Sequence, residues 1–285
     1  MRVATVLMIA LLAIGGIAHA GQLAQGPGAP PGPPLPPGPG REYVPFDPNK
    51  EPTFKGESDV RKGAESLRSG QSPFPQIVKQ VGPDLYELGT ITLDLKARRA
   101  KIPGRINMTQ GIIEYLAVMD KRGKLHESVL ALDVQPSFMQ LALILLGFEP
   151  GEVTLPDAKH RKPPALAKWG DPVTIWVEWE RNGKTERHPI DALVFNRETQ
   201  KPLEGNRWHF TGSVFYQNVF AADVSGSLIA TWLDFQAILN ASSQVGNPYR
   251  GQNLGYEVNA KLVPPVDTPI RLIIEAAERE PKKVQ

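Results

Sequence analysis

No cysteine occurs in the 285-residue chain. That excludes disulfides, thiolate metal centres, iron–sulfur clusters held by cysteine, a cysteine nucleophile and a lipidated cysteine anchor. Charge of one sign is lacking too. The 32 Lys and Arg against 30 Asp and Glu leave a formal +2, no field from which to argue nucleic acid or acidic lipid as a partner. Enzyme signatures are missing: there is no His-Glu-x-x-His, no Gly-x-Ser-x-Gly and no Ser-x-x-Lys, and Glu178 stands where a phosphate loop ending Gly183-Lys184-Thr185 needs its first glycine. His160, His188 and His209 are isolated, with no zinc-ligand spacing. No metal or cofactor is expected. What the chain does have is 41% AVILMFWYC, enough to build an ordinary globular domain.

One long uncharged run is present, Val3 to Ala18, preceded by Arg2 and followed by His19-Ala20. Small residues at Ala18 and Ala20 fit a signal-peptidase site, and the run is short of the ~20 residues of a spanning helix. Residues 1–20 are therefore expected to be a signal peptide cleaved after Ala20, the alternative being an uncleaved anchor. Either leaves the rest outside the membrane, secreted or periplasmic, with no transmembrane helix after cleavage. Residues 26–40 hold eight prolines and five glycines, which lack the donors and apolar side chains that packing requires. Their glycines have no period of three, so collagen is excluded. Residues 21–80 are expected to form a tether and irregular lead-in, with order beginning near Val81 and a polar tail over 277–285.

Between these ends, turn signals separate β-prone runs at short intervals. Gly89–Leu95 and Ala100–Asn107 read as one hairpin, and Ile112–Met119 and Leu125–Leu132 as a second around Asp120–Gly123, with Gly123 supplying a positive φ. Pro136 opens and Gly147 ends a helix with hardly any polar face, expected to be buried. The Pro- and Lys-rich stretch 150–171 is a candidate internal boundary or exposed loop. Beyond it, Val173, Ile175, Val177 and Trp179 alternate with polar residues, and Asn182-Gly183 signals a hairpin that sets Glu178 opposite Arg187. Arg207–Tyr216, Phe220–Val224, Ser227–Leu233 and Pro269–Glu275 complete the strands, with a short helix near Phe235–Asn240. An echo between Glu127–Asp133 and Gly226–Asp234 raises two related β-β-α units, although Asp before a helix also arises from ordinary capping. The fold class expected is α+β: a β-rich domain of antiparallel hairpins with one buried and one short helix.

Gly111–Met119, Gly123–Ser128, Leu143–Gly147, Gly170–Val173, Leu193–Asn196, Thr211–Ser213 and Ala222–Ser227 together resemble the bacterial YdjY-type domain family, over about Val81 to Ala276. Lys124-x-His126-Glu127-Ser128 is the most telling piece. The resemblance implies an exported protein and brings no established reaction. A link of some members to iron–sulfur chemistry does not carry over, for want of cysteine.

In the second hairpin, pairing Asp120 with Lys124 sets Val118 opposite His126, Leu116 opposite Ser128 and Glu114 opposite Leu130, with Glu127 on the other face near Ala117 and Tyr115. His126, Glu127, Ser128 and Glu114 are the candidate catalytic residues. A base–nucleophile pair needs contact and an orienting group, and convergence with Arg105 or Asp133 in a cleft would favour it. The competing and preferred reading is a structural network of paired buried polar groups. Trp169, Trp176, Trp179, Trp208 and Trp232 all lie in the second half, and alternation puts Trp176 and Trp179 on opposite faces. Trp176 is the candidate ligand-binding ring, and a carbohydrate surface would need two or more Trp or Tyr rings coplanar and exposed. Function is read as an exported binding or structural module whose partner is an envelope component, protein or glycan. The alternatives are an unrecorded hydrolase or transferase at His126, Glu127 and Ser128, or a carbohydrate-binding domain.

Overall fold

The computed structural model describes residues 78–155, 165–203, 208–216, 219–242 and 255–277, all in one compact unit. The expected signal peptide, nearly all of the tether and lead-in, the last eight residues of the tail and His160 lie outside the described residues.

The domain is β-rich with few helices. Its principal sheet uses twelve strands: β1 Val78–Gly82, β2 Leu85–Leu88, β3 Ile91–Asp94, β4 Arg99–Ile106, β5 Tyr115–Met119, β6 Ser128–Leu132, β7 Pro172–Arg181, β8 Lys184–Pro189, β9 Trp208–His209, β10 Ser227–Ala230, β11 Leu239–Ala241 and β12 Pro269–Ala276. Helix α1 is Pro136–Leu145 and α2 is Ala221–Ser225. In the order β4-β12-β7-β9-β11-β10-β5-β6 the sheet returns to β4, so eight strands close into a barrel. Closure removes two edges that would otherwise need covering.

Two long strands make closure possible by changing partners along one edge. β4 holds β12 on one side along its length, but on the other it leaves β3 after Lys101 and takes up β6 at Gly104. A Cβ on Gly104 would lie 2.6 Å from Ala131 O, so only glycine lets β6 come in at the changeover. β7 likewise pairs with β9 at Pro172–Val173 and with β8 from Trp176 onward. The β1–β3 meander and β8 extend outward from these points.

The first expected hairpin is present, with Ala97 N donating to Asp94 Oδ1 at 2.8 Å in its turn. Asn182 and Gly183 both take positive φ, 54° and 71°, as a two-residue turn requires, and Glu178 pairs with Arg187. α1 begins at Pro136 and is followed by Gly147 at φ 79°. The side chain of its N-cap residue, Gln135, accepts no bond from the first turn, and Asp223 of α2 takes that place, accepting from Ser137 N at 2.8 Å. Arg98 closes the other end, donating to Leu146 O at 2.9 Å and Gly147 O at 2.8 Å. Met139, Ala142, Leu143 and Leu145 are buried, whereas Phe138, Leu141 and Ile144 are half-exposed, so the helix is buried on one side only.

The second expected hairpin is overturned. β5 and β6 run parallel, Tyr115 against Ser128 and Ala117 against Leu130, and Leu125–Glu127 is a 3-10 turn outside the strand. Residues 120–127 cross back over β5, shorter than the usual dozen or more residues of a parallel connection. Gly123 serves close approach, not positive φ: a Cβ there would sit 2.6 Å from Met119 O and against Val118. The strand expected at Phe220–Val224 is instead α2, its Ala-Ala-Asp poor in β preference. No helix forms at Phe235–Asn240. Asp234 Oδ1 accepts from Gln236 N at 2.9 Å and Asp234 N donates to Asn240 Oδ1 at 2.8 Å, local bonds that turn the chain into β11 instead. The second β-β-α unit therefore has no helix. Among the described residues no helix is long and apolar enough to cross a membrane.

Candidate functional site

The four residues nominated in the β5–β6 region diverge. Because β6 starts at Ser128, that side chain turns inward, fully buried, and its Oγ donates to Leu130 O at 2.9 Å. His126 lies on the preceding turn with its side chain 76% exposed. Glu127 is buried between the two, its Oε1 3.4 Å from Lys124 Nζ and its Oε2 3.7 Å from His126 Nε2. Glu114 is buried just before β5, its backbone donating to Glu127 O at 3.0 Å and its carbonyl accepting from Thr231 N at 3.0 Å. Imidazole and hydroxyl thus share no proton. Arg105 is engaged elsewhere, by Asp120 at 2.6 Å and Asp267 at 2.9 Å, and Asp133 is exposed.

What does converge is a cluster around Tyr115, the first residue of β5. Its phenol donates to Asp234 Oδ2 at 2.8 Å and accepts from Lys124 Nζ at 3.0 Å, and the ammonium also lies 4.9 Å from the ring centroid. Ser227 is fully buried against Tyr115 and Asp234, with its hydroxyl close enough to act on both. Burial, then the neighbouring Asp234, holds the Tyr115 phenol far above the ordinary phenol range, so it stays protonated and serves as a donor. Burial also pushes the Asp234 carboxyl upward, against the opposing pull of Gln236 N–H, the Tyr115 hydroxyl and the Lys124 ammonium. Lys124, 39% exposed at its side chain, joins this interior to the surface.

Backbone contacts fix Lys124 in position. A Cβ on Gly226 would meet Gly123 Cα at 2.6 Å, so two glycines allow the 120–127 crossover to lie directly on the chain entering β10. Asn107 Nδ2 donates to Leu125 O at 2.5 Å and Ser128 O at 2.7 Å, clamping the turn from β4. Asn240, fully buried, extends the network by donating to Thr211 Oγ1 at 2.6 Å and Asp234 O at 3.1 Å. Asn107 and Asn240 are thus both engaged internally.

Tyr115, Asp234 and Ser227 were not nominated from sequence, and Lys124 was noted only as part of a motif. Tyr115 looks like another apolar strand residue, and Asp234 reads as a helix cap. The available signal was three segments, Gly111–Met119, Gly123–Ser128 and Ala222–Ser227, each carrying part of the resemblance and all meeting here.

Trp176 is half-buried, as alternation along β7 requires, and is occupied. Its Nε1 donates to Glu275 Oε1 at 2.9 Å and the Arg187 guanidinium covers its ring at 4.7 Å. Trp179 is buried on the opposite face and stacks on His188. Trp169 is exposed beside His209, their rings tilted by 47°. Among the described residues no three or more His, Asp or Glu are grouped to hold a metal ion.

No curated protein and no solved structure matches this chain. The family profile of the YdjY domain matches residues 91–275, from β3 through nearly all of β12 and across the whole Tyr115 cluster, and the chain belongs to that family.

Proposed function

We propose that the protein is an exported, envelope-associated binding or structural module and that Lys124-x-His126-Glu127-Ser128 is a folding element, not a reaction centre. The observation that carries this reading is the divergence of its side chains: His126 faces solvent while Ser128 spends its hydroxyl on Leu130 O. A nucleophile needs a base within hydrogen-bond reach, and the rival hydrolase or transferase has none at this place. Lys124 and Glu127 are used up in the packing of the crossover. Export is supported by the Val3–Ala18 run and its Ala-His-Ala end. Glycan binding through Trp176 is not favoured, because Arg187 and Glu275 already hold that ring.

The test is native mass spectrometry, with elemental analysis, of the protein recovered from its own compartment. A chain starting at Gly21, outside the cytoplasm and carrying a non-covalent ligand or partner, is the expected result. A chain with Met1 retained in the cytoplasm overturns the reading, as does hydrolytic turnover lost in Ser128→Ala or His126→Ala while melting is unchanged.

A further inference from the structure

The sheet order β11-β10-β5-β6 repeats itself about its centre. β10 and β5 are antiparallel there, each carries a parallel partner on its outer edge, and each reaches that partner through a short crossover, residues 231–238 and 120–127. The central hydrogen bonds obey the same two-fold: Met119 N donates to Gly226 O at 2.8 Å and Thr231 N to Glu114 O at 3.0 Å, bonds that exchange under an offset of 112 residues. That offset maps Tyr115 onto Ser227. Inside the crossovers the offset shortens to 110: Glu127 N donates to Lys124 O at 3.2 Å and Ala237 N to Asp234 O at 3.1 Å, equivalent turns that map Lys124 onto Asp234.

The cluster around Tyr115 is therefore two mated pairs, Tyr115 with Ser227 and Lys124 with Asp234, meeting at the axis between the halves. The second of these pairs sets a basic residue against an acidic one. Lys124 reaches Asp234 through the shared phenol, the two steps being 3.0 and 2.8 Å. The 120–127 crossover lies over β5 with Gly123 against Val118 and Gly226, and beneath it are the Tyr115 hydroxyl, the Asp234 carboxyl and the buried Ser227 hydroxyl.

We propose that Lys124 and Asp234 form a charge lock that holds the 120–127 crossover shut as a strap, and that the strap opens as a unit, with the barrel intact, when the pairing is lost. The proposal goes beyond the binding reading and does not depend on it. The groups facing the lock are Tyr115, Ser227 and the Gln236 N–H around Asp234, Glu114 acting on Tyr115, and Glu127, with His126 beside it, on the Lys124 side. With Lys124 gone, Asp234 takes up a proton or, where the pH keeps it charged, must be reached by water. Removing that charge as well relieves the need.

The test is native-state hydrogen exchange on the full chain, read as protection factors at Gly123, Leu125 and Glu127 in the strap and at Ile175 and Val177 in β7. In Lys124→Met the strap amides are expected to lose about tenfold or more protection at alkaline pH, where Asp234 carries its charge, while β7 keeps its own. In Lys124→Met with Asp234→Asn, strap protection returns to within about threefold of the parent. In Lys124→Met alone, protection also returns as acid neutralises Asp234. Equal loss in strap and β7, no loss in the strap, or no recovery in the double variant overturns the lock. If Lys124→Met does not fold, the double variant decides: folded with a protected strap upholds the lock, and unfolded overturns it.

Discussion

On the β7–β12 side of the barrel, half-exposed and buried residues alternate along β7, and the outer face carries paired charges. Arg99 lies 2.9 Å and Arg187 3.1 Å from Glu275, and Arg271 is 3.7 Å from Glu178. On the β5–β10 side nearly every strand residue is buried, whatever its direction, and parallel pairs are joined by short crossovers. One side is a sheet facing water, held by long regular ladders. The other is covered on both faces and depends on a few close contacts: Gly123 with Gly226, Tyr115 with Asp234, and Ser137 with Asp223. Stability on the first side is spread over many small pairs, and on the second it rests on a few close ones.

Substitutions should expose that contrast. Gly123→Val forces a side chain into Val118 and Met119 O, and urea unfolding should show a loss of about 3 kcal/mol or more, or no soluble protein. A loss below about 1 kcal/mol would mean the crossover is loose and would erase the difference between the sides.

The seam between the sides should be pH-sensitive. Trp208 of β9 donates Nε1 to Asp191 Oδ1 at 2.8 Å, and burial pushes that carboxyl up to about 6 although the Trp208 bond opposes it. A carboxyl whose folded pKa is raised binds its proton more tightly in the folded state. Stability is therefore highest below the ordinary carboxylate range, falls as pH rises from about 4 to about 6, and is level above that, a change of up to ~3 kcal/mol. Urea midpoints across this window measure it, Asp191→Asn should flatten it, and Trp208 fluorescence should follow the same midpoint. A flat parent profile would remove the seam's titration.

Asp223→Ala removes the cap lent to α1 by α2 and should cost about 1–2 kcal/mol in chemical denaturation. Arg187→Ala breaks contacts to Glu275 and the Trp176 ring on the exposed side. It should cost only ~0.5–1 kcal/mol, with the salt-bridge part declining in high salt. His126→Ala belongs to the buried side by sequence and to the surface by exposure, and its melting should differ from the parent by no more than ~0.5 kcal/mol. A larger loss would put the imidazole among the structural contacts.

What could be read in advance follows the same division. The β7–β8 hairpin and its register were legible because Asn182-Gly183 and two-residue alternation are local signals. So was α1, from Pro136 and Gly147. The path of residues 120–127 was not. A short apolar strand, a charged turn with glycine and a second apolar strand are what a hairpin looks like, and the parallel outcome is set by β10 and β4, which occupy the outer edges of β5 and β6. Once that pairing changed, the facing relations expected for His126, Ser128 and Glu114 changed with it. Asp234 was misread because the Asx turn to Gln236 and a helix cap use the same carboxylate in the same manner. The Tyr115 cluster draws on three segments spread from Tyr115 to Asp234, and no spacing in one chain reports it.

The parallel pairing of β5 with β6 supports the whole account, and a chain without native cysteine permits a direct test. Val118 pairs with Ala131 in the structure, whereas the hairpin alternative sets Val118 opposite His126. Val118→Cys with Ala131→Cys, oxidised during refolding and read by mass spectrometry of the digest, should form the disulfide in good yield, and Val118→Cys with His126→Cys should not. Efficient crosslinking of the second pair and none of the first would contradict the fold on which the divergent His126, the buried Ser128 and the Lys124–Asp234 lock all depend.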